Sequence, residues 1–283
     1  TDWNNMVIHY NYKIFAEQGV AEPGKDWTWD DFMVACKELA DVKGTEDDRY
    51  AFSFWDSQFG MSPWYHNNDT SPFKNNWEDS NMDDPKVAET LQFLADLILK
   101  HKVSPNPAGW DENGQFFSGH LCMRGCGGWC IAGCNNNKFY DYKLQYYPHK
   151  AGPLKTVVGV GGDGLATLCR DPDAAWEVLK IVNGPEFTLE YTKANGSPMA
   201  RRSVASSATF MDRAKPAPAD MKIYYESLDY AAYVPSPPNF NVIDPLLMRW
   251  YAQIWNGEIS VEAACAGAHQ ELQAEMDKLK KSS

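Results

Sequence analysis

Along much of this chain, apolar residues recur at helical spacing behind a short polar cap. In DWTWDDFMVACKELADVKG, Thr28 and Asp31 form a short-armed capping box. Phe32, Cys36 and Leu39 follow on one helical face, and Gly44 stops the pattern. In DDPKVAETLQFLADLILKHK, Asp84 caps, Pro85 takes the first helical position, and Val87, Leu91, Leu94 and Ile98 form the buried stripe. RDPDAAWEVLKIVNG repeats the device with Asp171, Pro172 and a Gly184 stop, and GPEFTLEYTKANG predicts a second short helix after it. IDPLLMRWYAQIWNG predicts another, opened by Asp244 and Pro245, and Ser260 to Lys281 reads as a long closing helix. Between them lie short β-rich runs: Val7–Tyr10, Tyr50–Trp55, His120–Gly125, Lys143–Tyr147, Val157–Val160 and Leu165–Cys169. Short strands alternating with longer helices predict an α/β fold. In VVGVGGDGLATL two β-rich halves meet at a glycine cluster, which suits a chain crossing between two lobes. Lys215 to Asn239, rich in Pro, Ala and Ser, reads as the returning connection.

Charge and composition narrow the function. The net charge of -12 and the lack of a basic cluster exclude a nucleic-acid partner, because phosphate binders concentrate Lys and Arg on one face. No run of about 18 apolar residues predicts a membrane span. The aromatic load of 11 Trp, 14 Tyr and 13 Phe fits either a large core or a carbohydrate site, where flat rings cover the C–H faces of sugars. Enzyme signatures are missing: the chain has no G-x-S-x-G elbow, no H-E-x-x-H and no P-loop. The carboxylate pairs Asp30-Asp31 and Asp47-Asp48 fit a helix first turn and a solvated loop. TDWNNMVIHYNYKIF has no initiator Met and no signal-peptide pattern, and reads as the middle of a longer protein. Cys122, Cys126, Cys130 and Cys134 follow one another at uniform spacing, unlike the paired ligands of structural zinc.

Several stretches in register resemble the extracellular solute-binding proteins of ABC sugar importers, the family that includes maltose-binding protein. They are VIHYNYKIFAEQGV, WTWDDFMVACKEL, DDPKVAETLQFLADLILKHKVSP, FFSGHLCMRGCGGW, VGVGGDGLA, DAAWEVLKIV, GPEF and NGSPMARRSV. The resemblance spans essentially the whole chain, but starts after the family's first hundred-odd residues. It implies a two-lobe periplasmic-binding-protein-like fold of type II, present as a C-terminal fragment with one complete and one partial lobe. Residues 1-156 would open the C-terminal lobe, 157-231 would be a remnant of the N-terminal lobe, and 232-283 would supply the closing helices.

The same resemblance puts Trp129, after GCGG, at the family's sugar-stacking position. Gly161, Gly162 and Asp163 lie at the expected lobe crossing, where amides and a carboxylate can bind hydroxyls. Trp55 and Asp56 end a strand that opens toward an aromatic loop containing Trp64, the kind of strand end where α/β clefts collect ligands. Asn4 with Trp3, Arg201, and Asn239 with Phe240 complete the candidates. The resemblance puts Cys122 on a strand, Cys126 at its end, and Cys130 and Cys134 on the following helical turn. Small buried hydrophobes are their expected role, with a disulfide open to any two whose Cα atoms come within about 7 Å.

The expected function is capture of a carbohydrate between the lobes and delivery to ABC permease subunits, with no cofactor and no metal. The expected location is periplasmic or extracellular, with a lipid anchor as one option. The missing N-terminal lobe segment is an expected partner. A secreted glycoside-active enzyme is the alternative, and would need two carboxylates on facing walls.

Overall fold

The computed structural model describes residues 3–195, 200–205 and 218–282. In chain order the elements are β1 (Trp3–Asn5), β2 (Val7–Tyr10), α1 (Tyr12–Gln18), α2 (Trp29–Leu39), β3 (Tyr50–Ser53) and α3 (Gln58–His66). A small hairpin of β4 (Phe73–Lys74) and β5 (Asp79–Ser80) precedes α4 (Pro85–Leu99), α5 (Glu112–Ser118), β6 (Leu121–Cys126) and α6 (Trp129–Asn136). Then come β7 (Lys143–Gln145), β8 (Thr156–Val160), α7 (Pro172–Val182), α8 (Pro185–Asn195) and α9 (Arg202–Ala205). A helix Pro218–Glu226, β9 (Ala231–Tyr233) and the helices Phe240–Trp255 and Val261–Ser282 close the chain.

The main sheet has the order β3-β6-β2-β7. Strand β6 runs parallel to β3 and antiparallel to β2, which is antiparallel to β7 in turn. The central strands β2 and β6 are buried throughout, as expected of a sheet covered on both faces. Period-2 alternation splits β2: Ile8 and Tyr10 enter the larger core and Val7 the smaller one behind it. The larger core contains an edge-to-face aromatic triangle. Phe32–Phe52 centroids are 5.1 Å apart, Phe32–Trp64 5.4 Å and Phe52–Trp64 5.4 Å.

The caps form as their residues predict. Thr28 and Asp31 close a reciprocal capping box on α2, and Asp84 accepts from the Lys86 amide at the start of α4. Helix α2 ends at Leu39 rather than at Gly44, because Ala40 turns extended and Asp41 bridges to Arg49. The Leu165–Cys169 strand does not form. No described strand borders that run, and Leu168 is 92% exposed. The helix expected to open at Asp244 starts at Phe240 and carries Pro245 inside it. Asp244 caps elsewhere, accepting from the Gln58 amide at 2.7 Å in the first turn of α3. Lys215–Asn239 is also more ordered than a connection: its helix buries Met221 and Tyr224 in the smaller core. Residues 215–217 of that run lie outside the described residues.

A second, three-stranded sheet has the order β1-β8-β9, with β1 antiparallel and β9 parallel to β8. Beyond it, the segment from Val160 to Tyr191 leaves Val160, Leu165, Trp176, Val178, Ile181 and Phe187 exposed, and α7 buries no residue at all. An amphipathic helix with a bare apolar face lacks the partner that such a pattern requires. Thr28→Ala should cost about 1 kcal/mol of stability through the lost cap. Leu91→Ala, at a fully buried position, should cost about 3 kcal/mol. Denaturant midpoints measured on both variants check the two values.

Candidate ligand-binding site

Strands β3 and β6 run parallel and end side by side, and each hands the chain to an aromatic residue. Trp55 follows β3, and Trp129 opens α6 two glycines after β6. Their ring centroids lie 5.5 Å apart at an interplanar angle of 30°. Phe59, on the first turn of α3, approaches Trp129 at 5.8 Å. All three rings are half-buried. Strand β8 borders the group: a Cβ at Gly159 would stand 2.9 Å from the Phe59 ring. Two further glycines are dictated by the tryptophans themselves. A Cβ at Gly127 would stand 2.0 Å from the Trp129 ring, and one at Gly60 would stand 2.4 Å from the Trp55 carbonyl oxygen.

A buried polar network supports these rings. The Arg124 side chain is fully buried on β6, 4.0 Å from the Glu112 carboxylate. It donates to Asn113 Oδ1 at 2.7 Å and to Cys134 Sγ at 3.5 Å, and lies 4.3 Å from the centre of the Phe116 ring. Glu112 also accepts from Ser53 Oγ at 2.9 Å. Burial raises its pKa, while the Arg124 charge, Ser53 and the Trp55 indole favour the ionised form. Glu112 therefore ties Trp55 to the centre of the sheet. Behind it, His9 on β2 meets the Tyr224 hydroxyl at 2.8 Å; burial and the nearby Arg124 charge hold its pKa well below the ordinary value.

Beside the rings lie two half-buried carboxylates, Asp56 and Asp244. Burial raises the pKa of Asp56, and the negative charge of Asp244 adds to the rise; burial raises Asp244 as well. Partly desolvated acceptors near half-buried rings are suited to hydroxyl groups carried on an apolar ring.

The structure therefore brings together Trp55, Asp56 and Trp129 from the sequence candidates. Asn4 lies next to them on β1, opposite Gly159 of β8, with its Oδ1 buried and unpartnered. Trp64 and Trp3 fall elsewhere. Trp64 is fully enclosed in the larger core, and Trp3 packs edge-to-face on Tyr225 in the smaller one. Gly161, Gly162 and Asp163 are exposed just past β8, and none of these glycines adopts a positive φ. Asp163 accepts from Asn183 Nδ2 at 3.0 Å, and Arg201 donates to the Asn183 carbonyl at 2.5 Å. These two charges brace the α7–α8 junction. Asn239 donates to the Glu275 carbonyl at 3.5 Å, and Phe240 is half-buried at the helix start. Sequence reasoning missed Phe59, Glu112 and Asp244. Phe59 comes four residues after Trp55, a spacing that also fits plain helix packing.

Two of the four cysteines take the expected buried role, and the other two take the disulfide that the sequence leaves open. Cys126 and Cys130 form a disulfide, with Cα atoms 6.3 Å apart, whereas Cys122 and Cys134 are free and buried. Among the described residues no group of three or more His, Cys, Asp or Glu could hold a metal ion. No described helix is long and apolar enough to cross a membrane.

The sequence profile of the bacterial extracellular solute-binding protein family matches residues 1–188, so the chain belongs to that family. No curated protein matches it. Solved structures share the fold. One is the ABC substrate-binding protein Lmo0181 from Listeria monocytogenes in complex with cycloalternan, at TM-score 0.84 and 20% identity. The match covers 98% of this chain and 70% of that one. A solute-binding protein from Thermotoga lettingae bound with α-D-tagatose aligns at TM-score 0.84 and 18% identity, covering 97% and 71%. The maltose/maltodextrin-binding domain MalE from Bdellovibrio bacteriovorus, bound to maltotriose, aligns at 0.83 and 16%, covering 98% and 72%.

Gly127→Ala should displace the Trp129 ring, seen as a changed tryptophan emission with the far-ultraviolet circular dichroism unchanged. Asp56 yields a pH prediction. Its folded pKa is raised, so the folded state holds the extra proton between the ordinary carboxylate range and the raised value. Stability thus falls as pH rises through that window. Asp56→Asn should raise the melting temperature at pH 7, and the gain should vanish below about pH 3.9.

Proposed function

We propose that this protein is the carbohydrate-capturing component of an ABC importer, and that Trp55, Trp129 and Phe59 form its stacking platform. The observation that carries the reading is the half-exposed aromatic group at the ends of two adjacent parallel strands, flanked by two desolvated carboxylates. Rings supply apolar faces for sugar C–H groups, and Asp56, Asp244 and the unpartnered Asn4 amide oxygen accept from hydroxyls. The sugars in the solved relatives support the same class of ligand.

In this reading residues 1-156 and 232-283 form one lobe and 157-231 belong to the other, although the Pro218–Glu226 helix leans on β7 of the first. The sheet β1-β8-β9 is then the joint, since the chain passes through it three times. Closure about that joint buries the ligand and presents the loaded form to the permease subunits. The bare apolar face between Val160 and Tyr191 is the seat of a further N-terminal lobe segment, whether on this chain or another. The protein works on the outer side of the cytoplasmic membrane, free in a periplasm or tethered by lipid to the cell surface. It releases its ligand unchanged.

Calorimetry against a panel of mono- and oligosaccharides tests the reading, with product analysis by chromatography alongside. Binding of at least one sugar without turnover is expected. Trp129→Ala should then weaken it by roughly 1 kcal/mol or more, about fivefold. Tight binding of an amino acid or a metal, with no response to any sugar, would overturn it.

A further inference from the structure

The Cys126–Cys130 disulfide encloses the turn that presents Trp129. Between the two cysteines lie only Gly127, Gly128 and Trp129 itself. At Gly127 the Trp129 ring folds back over the backbone, so a Cβ there would force the ring to move. Gly128 stands at the N-cap of α6 and offers no side-chain hydrogen bond to the first turn. Two successive glycines impose the largest backbone entropy cost on holding a turn still. What the backbone provides is slight: Cys130 N donates to Gly127 O at 3.1 Å and Ile131 N to Gly128 O at 3.1 Å. The double glycine and the lack of a side-chain cap thus leave this turn with little of its own to hold the ring steady.

We infer that the Cys126–Cys130 bond is a positioning brace for Trp129, so that ligand affinity depends on the oxidation state of this pair. The inference rests on the carbohydrate reading above. Cys126, at the end of β6, is anchored in the buried sheet through its pairing with Val7. Cys130, on the first turn of α6, is 5% exposed. Joining them fixes the direction in which α6 leaves the strand, and with it the ring facing Trp55 and Phe59. Opening the bond takes two electrons and two protons. A phosphine reductant supplies the electrons and becomes its oxide by taking oxygen from water, whose protons complete the two thiols. Trp129 then keeps its chemistry but samples orientations that no longer match a sugar face. The uniform four-residue spacing of the cysteines conceals this role. Among Cys122, Cys126, Cys130 and Cys134, only the pair bracketing the tryptophan is joined.

The test compares oxidised protein, phosphine-reduced protein and a Cys126→Ser/Cys130→Ser variant, each with and without Trp129→Phe or Trp129→Ala. One readout needs no ligand: the share of acrylamide quenching that disappears in the Trp129→Phe background isolates this indole. It should rise on reduction and in the double-serine variant, with the melting transition still cooperative. The second readout is affinity for the best sugar of the panel. Reduction should weaken it by roughly three- to tenfold, a range set by the worth of one stacked aromatic. In Trp129→Ala the further loss on reduction should be absent, since residues acting through one another are not additive. Unchanged quenching on reduction would overturn the brace whatever the protein binds. An equal fold-loss of affinity in the Trp129→Ala background would do so too. Increased quenching in a protein that binds no sugar would leave the brace standing and sink the carbohydrate reading instead.

Discussion

A guanidinium buried in the middle of a sheet constrains most of what surrounds it. Arg124 is fully enclosed on the strand Leu121–Cys126, where an uncompensated charge would be prohibitive. Compensation is drawn from several elements at once: the Glu112 carboxylate, the Asn113 amide, the Cys134 sulfur and the face of Phe116. Helix Glu112–Ser118 must therefore pack where its first turn reaches Arg124, and helix Trp129–Asn136 where Cys134 does. The same carboxylate accepts from Ser53 and favours the Trp55 indole, so the charge that organises the sheet also orients one platform ring. Removing either member of the pair would leave the other charge buried alone, which is worse than having neither.

The group of Trp55, Phe59 and Trp129 is assembled from parts that each have a structural explanation. Trp55 ends one parallel strand, Trp129 begins the helix after its neighbour, and Phe59 starts a helix whose first amide is capped by Asp244. Strand ends on the same edge of a sheet converge in this way whatever lies beyond them. What distinguishes this edge is incomplete burial. Trp64 packs fully inward with Phe32 and Phe52, whereas these three rings stay only half-buried. The carboxylates beside them are held at a cost in stability at neutral pH, a pattern more often met where binding is served than where packing is.

How much of this could be read from the sequence varies with how local the cause is. The helix caps and the Val7–Tyr10 strand were legible, because caps and apolar runs act over a few residues. Leu165–Cys169 has strand composition but no neighbouring strand to pair with, and pairing is a property of the fold rather than of the segment. Trp55, Trp64 and Trp129 have the same side chain at comparable loop-like positions, yet one is fully enclosed and two are not. Only packing separates them. The disulfide was open as one of several pairings and undecided among them, since equal spacing cannot say which sulfur leaves the strand and which meets it on the helix. Asp244 looked like an ordinary cap for its own helix, and became one for a helix far away in sequence.

The three-stranded sheet β1-β8-β9 also bears on the order of assembly. Trp3 pairs with Val160, and Val158 with both Asn5 and Tyr233, so this small sheet ties together positions spread across nearly the whole chain. Each such pairing must close a very long loop before any hydrogen bond is returned, and the closure penalty grows with loop length. The hairpin at Phe73–Ser80 and the helix pair at the chain's end close over short spans by comparison. Contacts of such high sequence separation are the slow ones in folding. The small sheet that joins Trp3–Asn5, Thr156–Val160 and Ala231–Tyr233 is thus slow for the folding chain to bring together.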